Sequence, residues 1–148
     1  MNIERIAIID PATGRPVSIE DWKNVENPAI AEKVLIETDE LAPFCVSKKR
    51  IEERKTWPEA VEAGAPTRAQ ALAIYDARHA GLDEALKLIG GDEAVEITWT
   101  CEEDKEPDYA TTAWYVRLNH GYVDYNPRTY GYRVRPVSAF DDPSSLQL

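Results

Sequence analysis

The spacing of apolar residues changes near Val95, and this change constrains the fold more than any other feature of the sequence. Before it, the apolar residues of segment 82–89 recur at intervals of three and four, which is typical of one helix face. After it, residues 114–119 alternate between apolar and polar, the pattern of a strand with one covered face. The sequence therefore predicts an α+β domain, with helices packed on antiparallel strands.

Three helices are predicted, over residues 56 to about 64, 67 to about 79, and 82–89. The first two begin with a capping box, in which a threonine is followed three residues later by Glu59 or Gln70. The side chain of Glu59 or Gln70 accepts a hydrogen bond from the free backbone amide of the threonine. Each of the two capping boxes therefore marks the start of a helix.

Seven segments are predicted as strands from their β-branched and aromatic content: 3–9, 33–38, 44–47, 95–101, 114–118, 122–125 and 130–137. The last three would form a carboxy-terminal β-meander, with a hairpin turn at 119–121. In the first strand of this meander we expect Trp114 to face the core with Val116 and Leu118, and Tyr115 to face water.

Composition excludes several classes of protein. The chain has 148 residues and a formal net charge of −10, which suits one domain and opposes nonspecific binding of nucleic acid. No apolar run approaches the roughly 20 residues that span a bilayer, so we expect no membrane insertion. The amino terminus lacks a secretory signal, so a cytoplasmic protein is the default expectation, and transport on a phage particle or surface assembly is the alternative.

No residue set typical of catalysis or metal binding is present. Neither zinc pattern is spelled out around His79 or His120, and Cys45 and Cys101 are expected to be reduced thiols. We therefore predict no enzymatic activity, no cofactor and no metal site. The acidic run 102–108 admits a calcium ligand set or a solvated loop, and the loop is favoured because EF-hand spacing is absent.

Tyrosine is concentrated in one segment, since six of the seven tyrosines lie between residues 109 and 132. Residues 107–148 also hold four acids and four bases, so the acidic excess lies entirely before them. Strand propensity and a binding surface explain this composition equally well. Under the second interpretation the candidate ligand-binding residues are Tyr115, Arg117, Asn119, His120, Tyr122, Asp124, Tyr125, Asn126, Arg128, Tyr130 and Tyr132.

Residues 113–121 (AWYVRLNHG) and 132–137 (YRVRPV) resemble the carboxy-terminal signature of bacterial and phage C-type-lectin-like domains. That family includes carboxy-terminal domains of collagen-like bacterial adhesins and the variable proteins diversified by retroelements. Upstream, residues 56–60 (TWPEA), 65–70 (APTRAQ) and 98–102 (TWTCE) are similar to the family's helix starts and its tryptophan strand. The motifs are weak singly and fairly specific in combination.

The resemblance covers residues 44–140 and implies a C-type-lectin-like fold. Residues 1–43 would be a β-hairpin or extension of the same domain, and 141–148 a flexible tail. Ala65 and Cys101 replace the family's usual leucine and serine, and neither threatens the fold. The resemblance also implies a non-enzymatic recognition module with a variable, retroelement-diversified surface. Its partner would be a protein or glycan ligand on a cell surface, and assembly into a homo-oligomer stays open.

Three other functions stay open on the sequence. A calcium-dependent carbohydrate-binding lectin is suggested by residues 106–108 (EPD), but the segment 114–116 (WYV) departs from the strand such lectins use. A structural phage or pilus assembly component would use its tyrosines only for packing. A distant relative of the formylglycine-generating enzymes, which share a similar fold, would need a reactive cysteine pair.

Overall fold

The computed structural model describes residues 1–103 and 111–142, and it is a mixed α+β structure. Ten strands are described: β1 (Ile3–Ile9), β2 (Pro16–Val17), β3 (Lys33–Thr38), β4 (Phe44–Ser47), β5 (Ile51–Lys55), β6 (Ile97–Glu103), β7 (Thr112–Arg117), β8 (Tyr122–Pro127), β9 (Tyr132–Val134) and β10 (Val137–Ala139). The described helices are α1 (Ile19–Trp22), α2 (Trp57–Glu62), α3 (Arg68–Ala77) and α4 (Leu82–Leu88), with 3₁₀ turns at Pro28–Ile30 and Arg78–Ala80. The three predicted helices and the predicted strands 3–9, 33–38 and 44–47 are confirmed.

The strands form two five-stranded sheets. Sheet 1 has the order β10-β4-β3-β1-β2, and its four strand pairs are antiparallel. Sheet 2 has the order β5-β9-β6-β7-β8, in which β6 and β9 run parallel. Residues 1–43 supply β1, β2 and β3, so they share one sheet with β4 and β10.

The main hydrophobic core lies between the two sheets and helices α3 and α4. Ile8 and Val34 of sheet 1, Ile74 of α3, and Val116 of sheet 2 are fully buried in it. A second cluster covers the opposite face of sheet 2, where Ala60 of α2 packs with aromatic side chains of β6, β7 and β9. The central strands β6 and β7 of sheet 2 are therefore packed against side chains on both faces.

Helix α3 begins where its capping box predicts. The Thr67 hydroxyl accepts the Gln70 amide at 3.0 Å, and Oε1 of Gln70 accepts the Thr67 amide at 2.9 Å. Its buried residues are three alanines and Ile74, and these small side chains let the helix pack closely on the sheets.

The last predicted strand, 130–137, is wrong in its extent and its partners. It consists of two short strands, of which β9 inserts between β5 and β6 while β10 joins β4 in sheet 1. The break falls at Arg135 and Pro136, because the arginine amide donates to the Thr98 hydroxyl at 3.0 Å and the proline has no amide hydrogen for a sheet. Strands β6, β7 and β8 form the meander, and β8 is left at the edge of sheet 2.

A buried ion pair between Arg135 and Glu96 lies at the break between β9 and β10. Nε of Arg135 donates to Oε1 of Glu96 at 2.7 Å, and Nη2 donates to Oε2 at 3.2 Å. The remaining donors reach four backbone carbonyls at 3.1 to 3.2 Å, those of Ser47, Lys48, Asp92 and Glu93. Because these carbonyls belong to the end of β4 and the segment before β6, Arg135 joins the two sheets.

No helix within residues 1–103 and 111–142 is long and apolar enough to cross a membrane. Of the predicted flexible tail 141–148, residues 143–148 lie outside the described part of the chain.

Candidate ligand-binding site

Six of the eleven candidate residues lie together on one face of sheet 2. In the register of β7 and β8, Arg117 stands opposite Tyr122 and Tyr115 opposite Asp124, with Asn126 two residues further along β8. Tyr132 of β9 joins them, because its ring centroid lies 4.9 Å from that of Tyr115 and its hydroxyl accepts the Asn126 side-chain amide. We call this set the tyrosine–arginine face: Tyr115, Arg117, Tyr122, Asp124, Asn126 and Tyr132.

The expectation that Tyr115 faces water is wrong, since only 4% of its surface is exposed. The prediction assumed one covered face, whereas α3 covers one side of β7 and the cluster around α2 covers the other. The Tyr115 ring packs edge-on against Trp99, with centroids 6.4 Å apart. Burial raises the pKa of the Tyr115 hydroxyl, and a hydrogen bond from Arg117 acts in the opposite direction. Tyr115 therefore lies buried beneath the exposed residues of the tyrosine–arginine face. Tyr132, which is half-buried, forms part of that face.

Trp114, which was predicted to face the core, is only half-buried. It lies on the other side of β7 from Tyr115, where the Arg68 guanidinium carbon stands 4.5 Å from its ring centroid. The Tyr125 ring packs against it edge-on at 5.3 Å. Tyr125, also a candidate, therefore belongs to a different surface from the tyrosine–arginine face.

The remaining candidates occupy the two ends of β8. Asn119 and His120 are exposed in the hairpin turn, and Arg128 and Tyr130 lie in the turn that follows the strand. At about 3.3 Å per residue, the six residues of β8 separate these ends by roughly 20 Å. Arg128 is engaged structurally, because its Nε donates to a backbone carbonyl of β7 at 2.9 Å and its guanidinium covers the Trp57 ring. Tyr130 is 51% exposed.

The hairpin that carries Tyr122 is fixed to the helical layer. Leu118 is buried, and its carbonyl accepts a hydrogen bond from Nη1 of Arg78 at 3.3 Å. Gly121 has φ +70°, and a Cβ at this position would meet ring carbons of Tyr75 at 2.8 Å. The turn therefore holds Tyr122, which is 57% exposed, on a rigid support.

The edge of β8 is poorly suited to pairing with another strand. The Asp124 carboxylate accepts the Tyr125 amide at 2.8 Å, and Pro127 carries no amide hydrogen. A charged side chain and a proline are features that protect sheet edges. Addition of another strand at this edge is therefore disfavoured.

The described thiols and carboxylates do not form a reactive or metal-binding group. Burial raises the pKa of Cys45 to about 11, and burial with the neighbouring Glu102 charge raises that of Cys101. Because their pKa values are raised, both thiols are protonated at neutral pH. Catalytic cysteines need the opposite, a lowered pKa. Across residues 1–103 and 111–142, no three histidine, cysteine or acidic side chains are placed to hold a metal ion. Most of the acidic run 102–108 lies outside this part.

Sequence reasoning missed a small groove beside the tyrosine–arginine face. Its volume is about 90 Å³, and its lining residues are Arg54, Ile97, Tyr132 and Arg133. Ile97 stands opposite Arg117 in the register of β6 and β7, so the groove adjoins the face. It escaped prediction because β5, which carries Arg54, shows no hydrophobic alternation in IEERK.

No protein-family model matches the chain, and no curated protein matches it either.

Proposed function

We propose that the chain is a non-enzymatic ligand-recognition module with a C-type-lectin-like fold, and that the tyrosine–arginine face binds its ligand. The proposal rests on one observation above all: Tyr122 is 57% exposed and stands opposite the exposed Arg117 on a fixed hairpin. A large ring held in water adds little to folding, whereas tyrosine and arginine are the residues that dominate binding interfaces.

The course of the chain supports the fold proposed. Residues 44–140 begin and end on paired strands, with Phe44 opposite Ala139. Between them come α2, α3, α4, the meander and β9, in the order that the resemblance implies. The first and last strands of the segment are therefore neighbours in sheet 1, beside the strands from residues 1–43.

The exposed positions also suit a variable surface. Arg117, Asn119, His120 and Tyr122 are exposed, so other residues are tolerated there. Tyr115 is buried and belongs to the scaffold instead. Retroelement diversification, which we include in the proposal, predicts a second copy of the DNA for this segment that differs only at adenines.

The test is a binding screen of the purified chain against an array of glycans and a displayed library of random peptides. We expect the wild-type chain to select at least one ligand. The substitutions Tyr122→Ala and Arg117→Ala should each lower the affinity for that ligand about tenfold or more. The matched control is Ile30→Ala, because Ile30 is 49% exposed and lies in a 3₁₀ turn of the amino-terminal region.

Melting temperatures of all variants are measured alongside, since loss of binding is informative only when the fold is retained. Absence of any selected ligand contradicts the proposal. So does a ligand that binds Tyr122→Ala and Arg117→Ala as tightly as it binds the wild-type chain.

A further inference from the structure

Positive charge collects beside the tyrosine–arginine face, although the protein as a whole carries a net charge of −10. Arg54 and Arg133 line the groove, and Arg117 stands next to Ile97 in its wall. Guanidinium groups that face one another repel unless a counter-charge lies between them.

The carboxylate that pairs with Arg133 is shared with a second arginine. Glu52 is shared, because its Oε1 accepts Nε of Arg50 at 3.0 Å while its Oε2 lies 3.8 Å from Nε of Arg133. Arg133 therefore shares its one carboxylate partner within residues 1–103 and 111–142 with Arg50.

Two arginines at the groove have donors that form no hydrogen bond with the described residues. Nε of Arg133 is buried without a hydrogen-bond partner. The Arg54 guanidinium forms no ion pair or hydrogen bond with any residue in the ranges 1–103 and 111–142, and its side chain is exposed. A buried donor without an acceptor costs free energy, so an acceptor supplied from outside would be favourable here.

Arg54 is held at this place by the backbone. Between the pairs Ile51–Val134 and Lys55–Tyr132 the register shifts, so β5 bulges and turns its side chains away from regular positions. Gly131 lies against the Arg54 stem, where an added Cβ would come within 3.2 Å of the arginine Cβ. The first carbon of the Arg54 side chain therefore lies close against the backbone of Gly131.

We propose that this groove is a subsite for a single oxyanion, such as a carboxylate or sulfate group, carried by the ligand of the tyrosine–arginine face. The inference rests on the proposed function. A volume of about 90 Å³ admits one such group. Arginine forks bind two oxygens of an oxyanion with paired hydrogen bonds, and the adjoining Tyr132 and Ile97 supply an apolar wall.

The test is a titration of ¹⁵N-labelled protein with sodium sulfate and with sodium acetate, at an ionic strength held constant with sodium chloride. We expect saturable shifts of the Nε–Hε signals of Arg54 and Arg133. In Arg54→Gln the affinity falls about tenfold, because one charge-assisted pair is removed. Arg54→Lys, which keeps the charge without the fork, recovers only part of it. Arg15→Gln, an exposed arginine in the turn between β1 and β2, leaves the titration unchanged.

Two further arms identify the source of the oxyanion. A uronic-acid monosaccharide and N-acetyl-aspartate amide are titrated in the same way, and tighter binding of either than of acetate supports the subsite and assigns its ligand class. Shifts that grow linearly with anion and are the same in Arg54→Gln and Arg15→Gln overturn the inference. If an array ligand lost in Tyr122→Ala binds Arg54→Gln normally, the recognition proposal stands and the oxyanion subsite alone fails.

Discussion

Gly121 lies against the ring of Tyr75, so closely that a methyl group added to the glycine would stand 2.8 Å from two ring carbons. The backbone there has φ +70°, a conformation that costs other residues about 1 to 2 kcal/mol. We predict that Gly121→Ala lowers the free energy of unfolding by this amount, and by about 1 to 3 kcal/mol more for the steric conflict with the ring.

The matched control is Gly90→Ala, because Gly90 has φ +75° and its added Cβ would make only an ordinary contact at 3.8 Å. Urea unfolding of both variants measures the difference. In a Tyr75→Ala background the two glycine substitutions should cost the same, and equal costs in the wild-type background would show that the ring does not confine the turn.

Removing one partner of the buried ion pair should be severe. Arg135→Met leaves the Glu96 carboxylate, whose side chain is 2% exposed, without its counter-charge. We expect a loss of about 3 to 5 kcal/mol in the free energy of unfolding. Arg5→Met, which removes a partly exposed pair with Glu37, should cost at most about 1 kcal/mol. Similar losses for the two variants would mean that Arg135 does not join the sheets as described.

Two tyrosines on the same face of β7 and β8 should respond in opposite ways. Tyr115→Ala empties a packed site beside Trp99 and should cost about 3 to 5 kcal/mol. Tyr122→Ala removes an exposed ring and should stay within about 0.5 kcal/mol of the wild-type stability. Thermal and urea unfolding distinguish the outcomes. A large loss in Tyr122→Ala would favour a structural role for the hairpin tyrosines over recognition.

The buried thiol of Cys45 predicts a pH dependence. Burial raises its pKa from 9.0 to about 11 in the folded state, so its contribution to stability is complete below about pH 9. Stability then falls as the pH rises towards 11, because the unfolded chain loses the thiol proton first. Cys45→Ala should lack this part of the decline when unfolding is compared at pH 7.5 and 10.5 in reductant. Parallel curves for the two proteins would contradict a buried, protonated thiol.

Local signals in the sequence predicted much of the fold. The capping box of Thr67 and Gln70 predicts the first residue of α3 correctly. The apolar run 3–9 predicts both ends of β1 correctly. Such elements are specified by neighbours within a few positions. Strand β5 carried no such signal, because IEERK pairs with β9 without burying an alternating face.

The site was predicted less well, for a reason that lies outside any local window. Tyr115 is buried because α2 and Trp99, distant in sequence, cover the second face of β7. Arg54 and Arg133 come together only when β9 inserts beside β5. Burial on both faces and pairing across the sheet depend on tertiary order, which periodicity does not encode.

The Arg135–Glu96 pair also bears on how the molecule is made. The two residues are 39 positions apart, and synthesis delivers the carboxylate long before the guanidinium. Until Arg135 leaves the ribosome, the backbone carbonyls at the end of β4 and before β6 lack their shared donor. Closure of the two sheets around Glu96 therefore requires the carboxy-terminal strands β9 and β10, between which Arg135 lies.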